Sequence, residues 1–197
     1  MFALTENRAL HFLTTMVRNP KSIGAIAPSS RRLAERMVEG LSLQDGDLIV
    51  ELGPGTGAFT RQISQILPAS TAYLGIEREP RFVKLLKSDF PGMRFIAGDA
   101  AHLQVLVSDA DRNSAKVIIS GLPFAILDRA IRERIIEGID AVMRPGMVFR
   151  TMQYIHAYPL PSAIGFRRAM SARFGAYQRS KVVLGNLPPA YVLTWQR

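Results

Sequence analysis

Cysteine is absent from the 197 residues, and histidine occurs only three times. The first absence excludes disulfides and thiolate metal sites. The scattered histidines lack any ligand spacing such as HExxH, so no metal is expected. Long apolar runs are missing too. No window approaches the ~18 to 20 apolar residues of a membrane span, and the N-terminus lacks the apolar core of a signal peptide. The chain is expected to be made in soluble form. Acidic residues are missing from one whole region: residues 141–197 hold eight Lys/Arg and no Asp/Glu, against five and one in residues 1–34 and twelve and fifteen in residues 35–140. The net charge of +9 therefore sits at both ends of the chain. Such asymmetry favours a polyanionic partner, nucleic acid or an anionic membrane surface, over an evenly solvated basic surface.

What is present is enough apolar content, 48% of residues, for one well-cored domain spanning residues 1–197. β-rich runs occur at 47–52, 72–77, 93–98, 115–120 and 146–154, with helix-like segments at 58–67, 79–90 and 127–143 between them. In the last of these, Ile131, Ile135, Ile136, Ile139 and Val142 repeat at helical spacing. Alternation of this kind predicts an α/β, Rossmann-like domain with a mainly parallel sheet. Two further β-rich runs around Asn186, Pro188 and Pro189 predict a closing antiparallel hairpin. Residues 5–18, read as a helix, gather Ala9, Leu10, Phe12, Leu13, Met16 and Val17 on one face. That stripe suits either core packing or a helix at a lipid interface, with Arg8, Arg18, Lys21, Arg31 and Arg32 near headgroups.

The stretch ELGPGTGAFT, residues 51–60, ends the first β-rich run in a glycine turn. A phosphate loop of the GxxxxGK[ST] type is excluded by its missing lysine. Gly53, Gly55 and Ala58 satisfy the dinucleotide pattern GxGxxG/A, and Glu77 ends the next β-rich run. Glu51 argues against a pyrophosphate ligand. At ~5 Å and an effective dielectric near ~20, each pair of like unit charges costs on the order of 3 kcal/mol. A cationic ligand without phosphate gains where pyrophosphate loses, and S-adenosyl-L-methionine is such a ligand. A surface glutamate beside an ordinary turn is the plainer alternative.

Asp99, in AGDA at 97–100, ends the third β-rich run, where a carboxylate can accept from an adenine amino group. SGLPF at 120–124 ends the fourth and resembles the [N/D/S]-x-P-[Y/F] loop of amine methyltransferases. Together ELGPGTGAFT, GIERE, GDA and SGLPF resemble the cofactor motifs of class I S-adenosylmethionine-dependent methyltransferases. That resemblance implies a seven-stranded sheet and a cofactor site of Glu51, Gly53, Pro54, Gly55, Thr56, Gly57, Glu77, Arg78, Gly98, Asp99, Ala100 and Ser120. Glu77 would bind the ribose, Asp99 and Ala100 would border the adenine, and S-adenosyl-L-homocysteine would be the product.

Two branches share these motifs. The rRNA adenine dimethyltransferases carry NLP[YF], but here the Asn position is Gly121, and no RNA-gripping helical domain is expected after the hairpin. KSIGAIAPSSRRLAERM (21–37), SGLPF and NLPPAYV (186–192) are similar to the bacterial phospholipid N-methyltransferases. This second resemblance implies successive methylation of phosphatidylethanolamine toward phosphatidylcholine by a peripheral protein on the inner face of the cytoplasmic membrane, through N-terminal residues 1–20. Nucleic acid is then not expected as a partner. Ser120, Gly121, Leu122, Pro123, Phe124, Tyr154 and His156 would form the transfer site. The carbonyls of Ser120 and Gly121 would orient the amine, and the Phe124 ring would contact the methylated headgroup. The segment 152–180 reads as a substrate-side insertion. Lys21, Ser22, Ser29, Ser30, Tyr158, Arg167 and Arg179 are the candidates for substrate binding; a packed histidine and a solvated arginine face are the plainer readings of this segment.

Overall fold

The computed structural model describes residues 29–69 and 72–197. The N-terminal helix expected over residues 1–20, with Lys21 and Ser22, lies outside the described residues. The chain runs α1 (Arg31–Val38), β1 (Leu48–Leu52), α2 (Ala58–Ile63), β2 (Tyr73–Glu77), α3 (Pro80–Asp89) and β3 (Arg94–Ala97). A 3-10 turn, Ala100–His102, then leads into α4 (Leu103–Leu106), α5 (Asp109–Ser114) and β4 (Ala115–Ser120). After α6 (Arg129–Val142) and β5 (Val148–Tyr154) come a second 3-10 turn, α7 (Pro161–Phe174), β6 (Gln178–Arg179) and β7 (Ala190–Gln196).

These strands form one seven-stranded sheet in the order β3-β2-β1-β4-β5-β7-β6. The first five are parallel, and β7 runs antiparallel between β5 and β6. The strand order reverses between β1 and β4, and ligands of open α/β sheets gather at such a point, beyond the carboxyl ends of the strands. Every residue of β1 and β2 is buried, as expected of central strands covered on both faces.

One face packs under α6 and α7 around Phe124, Phe149, Phe166 and Trp195; the other packs under α1, α2 and α3 around Leu33, Ile49, Phe59 and Tyr73. Burying each such large apolar side chain stabilises the fold by ~1.5–3 kcal/mol. The closing hairpin is present but its first arm is shifted. The expected run from Lys181 makes only an isolated bridge, Val183 with Ala190, while Gln178 and Arg179 supply the strand. Asn186 explains the shift: its side chain donates to the Pro188 carbonyl and accepts from the Ser30 amide, which holds 184–189 as a loop against α1. The segment read as an insertion is mainly the regular helix α7, packed between α6 and β7.

Candidate active site

The glycine turn between β1 and α2 needs its glycines for two different reasons. Gly53, Gly55 and Gly57 all have left-handed backbone, with φ of 68, 58 and 82°. At Gly53 a Cβ would also stand 2.7 Å from Leu122 Cδ2, so the turn lies directly against the loop that follows β4. At Gly57 it would meet the Phe90 ring at 2.9 Å, which makes Gly57 a packing glycine. The Gly55 amide donates to Glu77 Oε2 (2.8 Å) and the Glu79 amide to Glu77 Oε1 (2.9 Å). Glu77 thus ties the turn to the tip of β2.

Beyond the strand tips lies a cavity of about 290 Å³. Gly53 and Gly55 form one wall, Glu77, Arg78 and Asp99 another, and Gly121, Leu122 and Pro123 a third. Gly98 and Ala100 complete the set of expected cofactor residues that line it. Glu51, Pro54, Thr56, Gly57 and Ser120 are not among the lining residues. Asp99 accepts from the Ala101 amide and lies 3.6 Å from the Arg78 guanidinium. Phe82, Leu127, Ile131 and Ile135 supply apolar walls that the motifs did not disclose; the helical spacing of the two isoleucines marked a buried face without saying that part of it faces a ligand.

Beneath the turn, Glu51 is fully buried and receives both Thr60 Oγ1 (2.8 Å) and Tyr73 OH (2.6 Å) on Oε2. Its Oε1 has no partner among the described residues. Burial pushes the carboxyl up to about 7, against the lowering effect of those two hydrogen bonds. Sequence reasoning placed Glu51 correctly at the strand but missed Thr60 and Tyr73, because neither belongs to a contiguous motif. A buried carboxylate with one oxygen unmatched among the described residues, below a turn whose cavity wall is the two glycines Gly53 and Gly55, fits a ligand that brings positive charge and close backbone approach. The residues present therefore fit the cofactor expected from the motifs.

The loop after β4 departs in part from expectation. Its carbonyls are mostly engaged: Ser120 accepts from Thr151 Oγ1, Leu122 from the Phe124 amide, Pro123 from the Ile126 amide and Ala125 from Ser162 Oγ. In this loop the carbonyls of Gly121 and Phe124 have no partner among the described residues, and of the two only Gly121 lines the cavity. Ser120 is buried and helps brace the loop, its Oγ accepting from the Leu122 amide. Phe124 is sealed in the core, 1% exposed and stacked on Phe166 at 4.1 Å. The expected contact of its ring with a headgroup is corrected accordingly, since the ring belongs to the packing between this loop and α7. Phe124→Ala is expected to lower unfolding free energy by ~3–5 kcal/mol, whereas Phe124→Leu should leave the KM for an amine acceptor unchanged. Denaturant titration and steady-state kinetics check both.

Tyr154 and His156 do not reach the cavity wall but stack on one another, ring planes 6° apart at 5.7 Å. Burial pushes the Tyr154 hydroxyl up to about 12, so it remains protonated at neutral pH and cannot act as a base there. Arg167 is also corrected as a free phosphate ligand. It is buried, donates to Gln153 Oε1 (2.7 Å) and the Tyr158 carbonyl (3.0 Å), and sits 3.8 Å over the Tyr158 ring. Arg179 is exposed, lies over Tyr158 and Tyr191, and its side chain has no hydrogen bond or ion pair among the described residues. Ser30 caps α1 by accepting from the Leu33 amide, a structural role, and Ser29 precedes it half-buried.

With this geometry, comparisons with known proteins agree on the family. Residues 49–146 match the family model described as a methyltransferase domain. The ornithine lipid N-methyltransferase of Singulisphaera acidiphila is 26% identical over 141 residues, covering 70% of this chain and 73% of that protein. The ribosomal RNA small subunit methyltransferase A of Chlorobaculum parvum is 25% identical over 112 residues, 57% of this chain but 39% of the relative. Among solved structures, an S-adenosylmethionine-dependent methyltransferase from Anabaena variabilis superposes with a TM-score of 0.63 at 11% identity, covering 100% of this chain and 96% of that one. The sheet order, the glycine turn, the Glu77 tether and these matches converge: the chain belongs to the class I S-adenosylmethionine-dependent methyltransferases.

Proposed function

We propose that this methyltransferase acts on the amine of phosphatidylethanolamine and of its mono- and dimethyl derivatives, toward phosphatidylcholine, at an anionic membrane surface on the cytoplasmic side. The observation that carries this reading is the match to a lipid N-methyltransferase over 73% of that relative's length. Gly121 supports it. A side chain there would begin 3.1 Å from the Gly53 carbonyl, tighter than ordinary contact, so the amide acceptor of the adenine-methylating loops has no room without a shift.

The bound cofactor supplies an electrophilic methyl group on a positively charged sulfur. The chain's own part is to present a neutral amine. The uncommitted Gly121 carbonyl accepts one N–H of the primary or monomethyl amine and so aims the nitrogen lone pair into the cavity; the neutral dimethyl amine has no N–H and is positioned by the apolar walls alone. The apolar walls of Leu122, Leu127, Ile131 and Ile135 disfavour the ammonium form, so burial itself promotes loss of the proton to solvent. Arg179, exposed and resting on the Tyr158 and Tyr191 rings with no ion pair among the described residues, is the candidate partner for the lipid phosphate.

A second reading, an amine methyltransferase acting on RNA adenine, is favoured by the ribosomal RNA methyltransferases among the relatives. Methyl transfer from labelled S-adenosylmethionine to phosphatidylethanolamine in anionic vesicles, with rRNA as parallel acceptor, separates the two. Label in the lipid is the expected outcome; label in RNA alone would establish the second reading.

A further inference from the structure

We infer that the carboxyl edge of the sheet is a membrane-docking face whose inserting element is the loop between β6 and β7, with Leu184 and Leu187 entering an anionic bilayer. The inference rests on the lipid reading and gives that site its route of substrate entry.

Seven large apolar side chains are exposed among the described residues. Five of them lie in loops at one edge of the sheet: Ile126 after β4, Ile155 and Leu160 after β5, and Leu184 and Leu187 before β7. The register places these loops together. Ala190 at the start of β7 pairs with Tyr154 at the end of β5, and the Ile155 amide donates to the Pro189 carbonyl. This is the edge at which the cavity opens. The remaining two, Leu85 and Val105, lie on α3 and α4.

Leu184 and Leu187 are each 77% exposed, yet the loop that carries them is tied down. Asn186 bonds it to the Ser30 amide and to its own Pro188 carbonyl, the Val183 amide donates to the Ala190 carbonyl, and Gly185 lies under the Arg32 side chain. Water-exposed leucines held on a fixed loop lose solvent contact only when something apolar covers them. The charge around them selects the cover. Arg32, whose side chain covers Gly185, and Lys181 are exposed at the loop, and residues 141–197 contain no acid; Arg31, next to Arg32 on α1, is paired with Glu35. Basic residues flanking an apolar tip suit an anionic lipid interface, where headgroups meet the cations and acyl chains meet the leucines.

The test is partitioning of the full chain onto vesicles of phosphatidylethanolamine and phosphatidylglycerol, measured by flotation. Leu184→Gln/Leu187→Gln is expected to lower the partition coefficient by about tenfold or more, with thermal midpoint and S-adenosylhomocysteine affinity preserved. Leu85→Gln should leave partitioning as in the parent. Raising salt should weaken binding further in both proteins, because the basic contribution is screened. Retained partitioning in the double variant, an equal loss in Leu85→Gln, or a change from dimer to monomer with no change in partitioning would each overturn the proposal. Transfer to detergent-dispersed phosphatidylethanolamine keeps the two ideas separable. Failure there by the parent chain sinks the lipid substrate while leaving docking to the vesicle result; normal transfer by a double variant that still floats sinks docking alone.

Discussion

Glu51→Gln is expected to weaken S-adenosylmethionine binding by about a hundredfold at pH 8 and to remove its pH dependence. The parent protein holds this carboxyl at about 7, above its ordinary 4.5, because burial penalises the charge more than Tyr73 and Thr60 favour it. The sign follows directly. A carboxyl whose folded value is raised contributes stability that is fully present below 4.5 and is lost as the pH rises through 7. The free protein should therefore lose on the order of 3 kcal/mol of stability across that window, and Glu51→Gln should not. A ligand bearing positive charge prefers the ionised form, so its affinity should rise with pH up to about 7 and then level off. Below that point binding should release up to about one proton. Calorimetry in buffers of different ionisation enthalpy measures the release, and a flat response in the parent protein would refute the coupling. Tyr73→Phe removes one donor to Oε2, which should raise the carboxyl further and shift the affinity profile upward in pH.

Gly53→Val should have the second large effect, on fold and site together. A β-branched residue at φ 68° costs ~1–3 kcal/mol of backbone strain. Its Cβ would stand 2.7 Å from Leu122 Cδ2, so Leu122 must move, and the space open to it is the cavity it lines. The expected result is a thermal midpoint lower by several degrees, ~4 °C or more, and S-adenosylhomocysteine binding reduced beyond ~100-fold. Gly55→Val separates the two contributions. Gly55 has φ 58° but open space where a Cβ would be, so the variant should show the strain and fill the cavity wall without displacing Leu122. Scanning calorimetry of the free proteins, with titration by S-adenosylhomocysteine, checks both variants. Equal midpoints for Gly53→Val and the parent chain would refute the contact argument.

The five parallel strands were legible because each is a short apolar run, fully buried in the central β1 and β2 and largely so in β4 and β5, and that requirement acts on neighbouring residues directly. The glycine turn, Glu77, Asp99 and Gly121 were legible for a related reason. Each lies at or just after a strand end, so position along the chain specifies position around the cavity. Phe124 shows where this stops. Its place in the SGLPF loop suggested an aromatic face for the substrate, but Phe166, 42 positions away, gives it a better partner in the core. Arg167 follows the same pattern: its charge suggested a phosphate ligand until Gln153 and Tyr158 took its donors.

By itself, then, the sequence determined the alternating architecture and the residues that end each strand, because local periodicity and spacing encode them, while the cofactor class followed from the resemblance of its motifs to a known family. Tertiary structure alone decided which polar groups are committed. Thr60 and Tyr73 converge on one oxygen of Glu51, Thr151 takes the carbonyl of Ser120, and Gly121 is left open. Leu184 and Leu187 remain in water because Asn186 ties their loop to the start of α1, 156 residues away from its partner Ser30. Hydrogen bonds and contacts between segments so far apart in sequence depend on packing geometry, and no local pattern of residues carries that information.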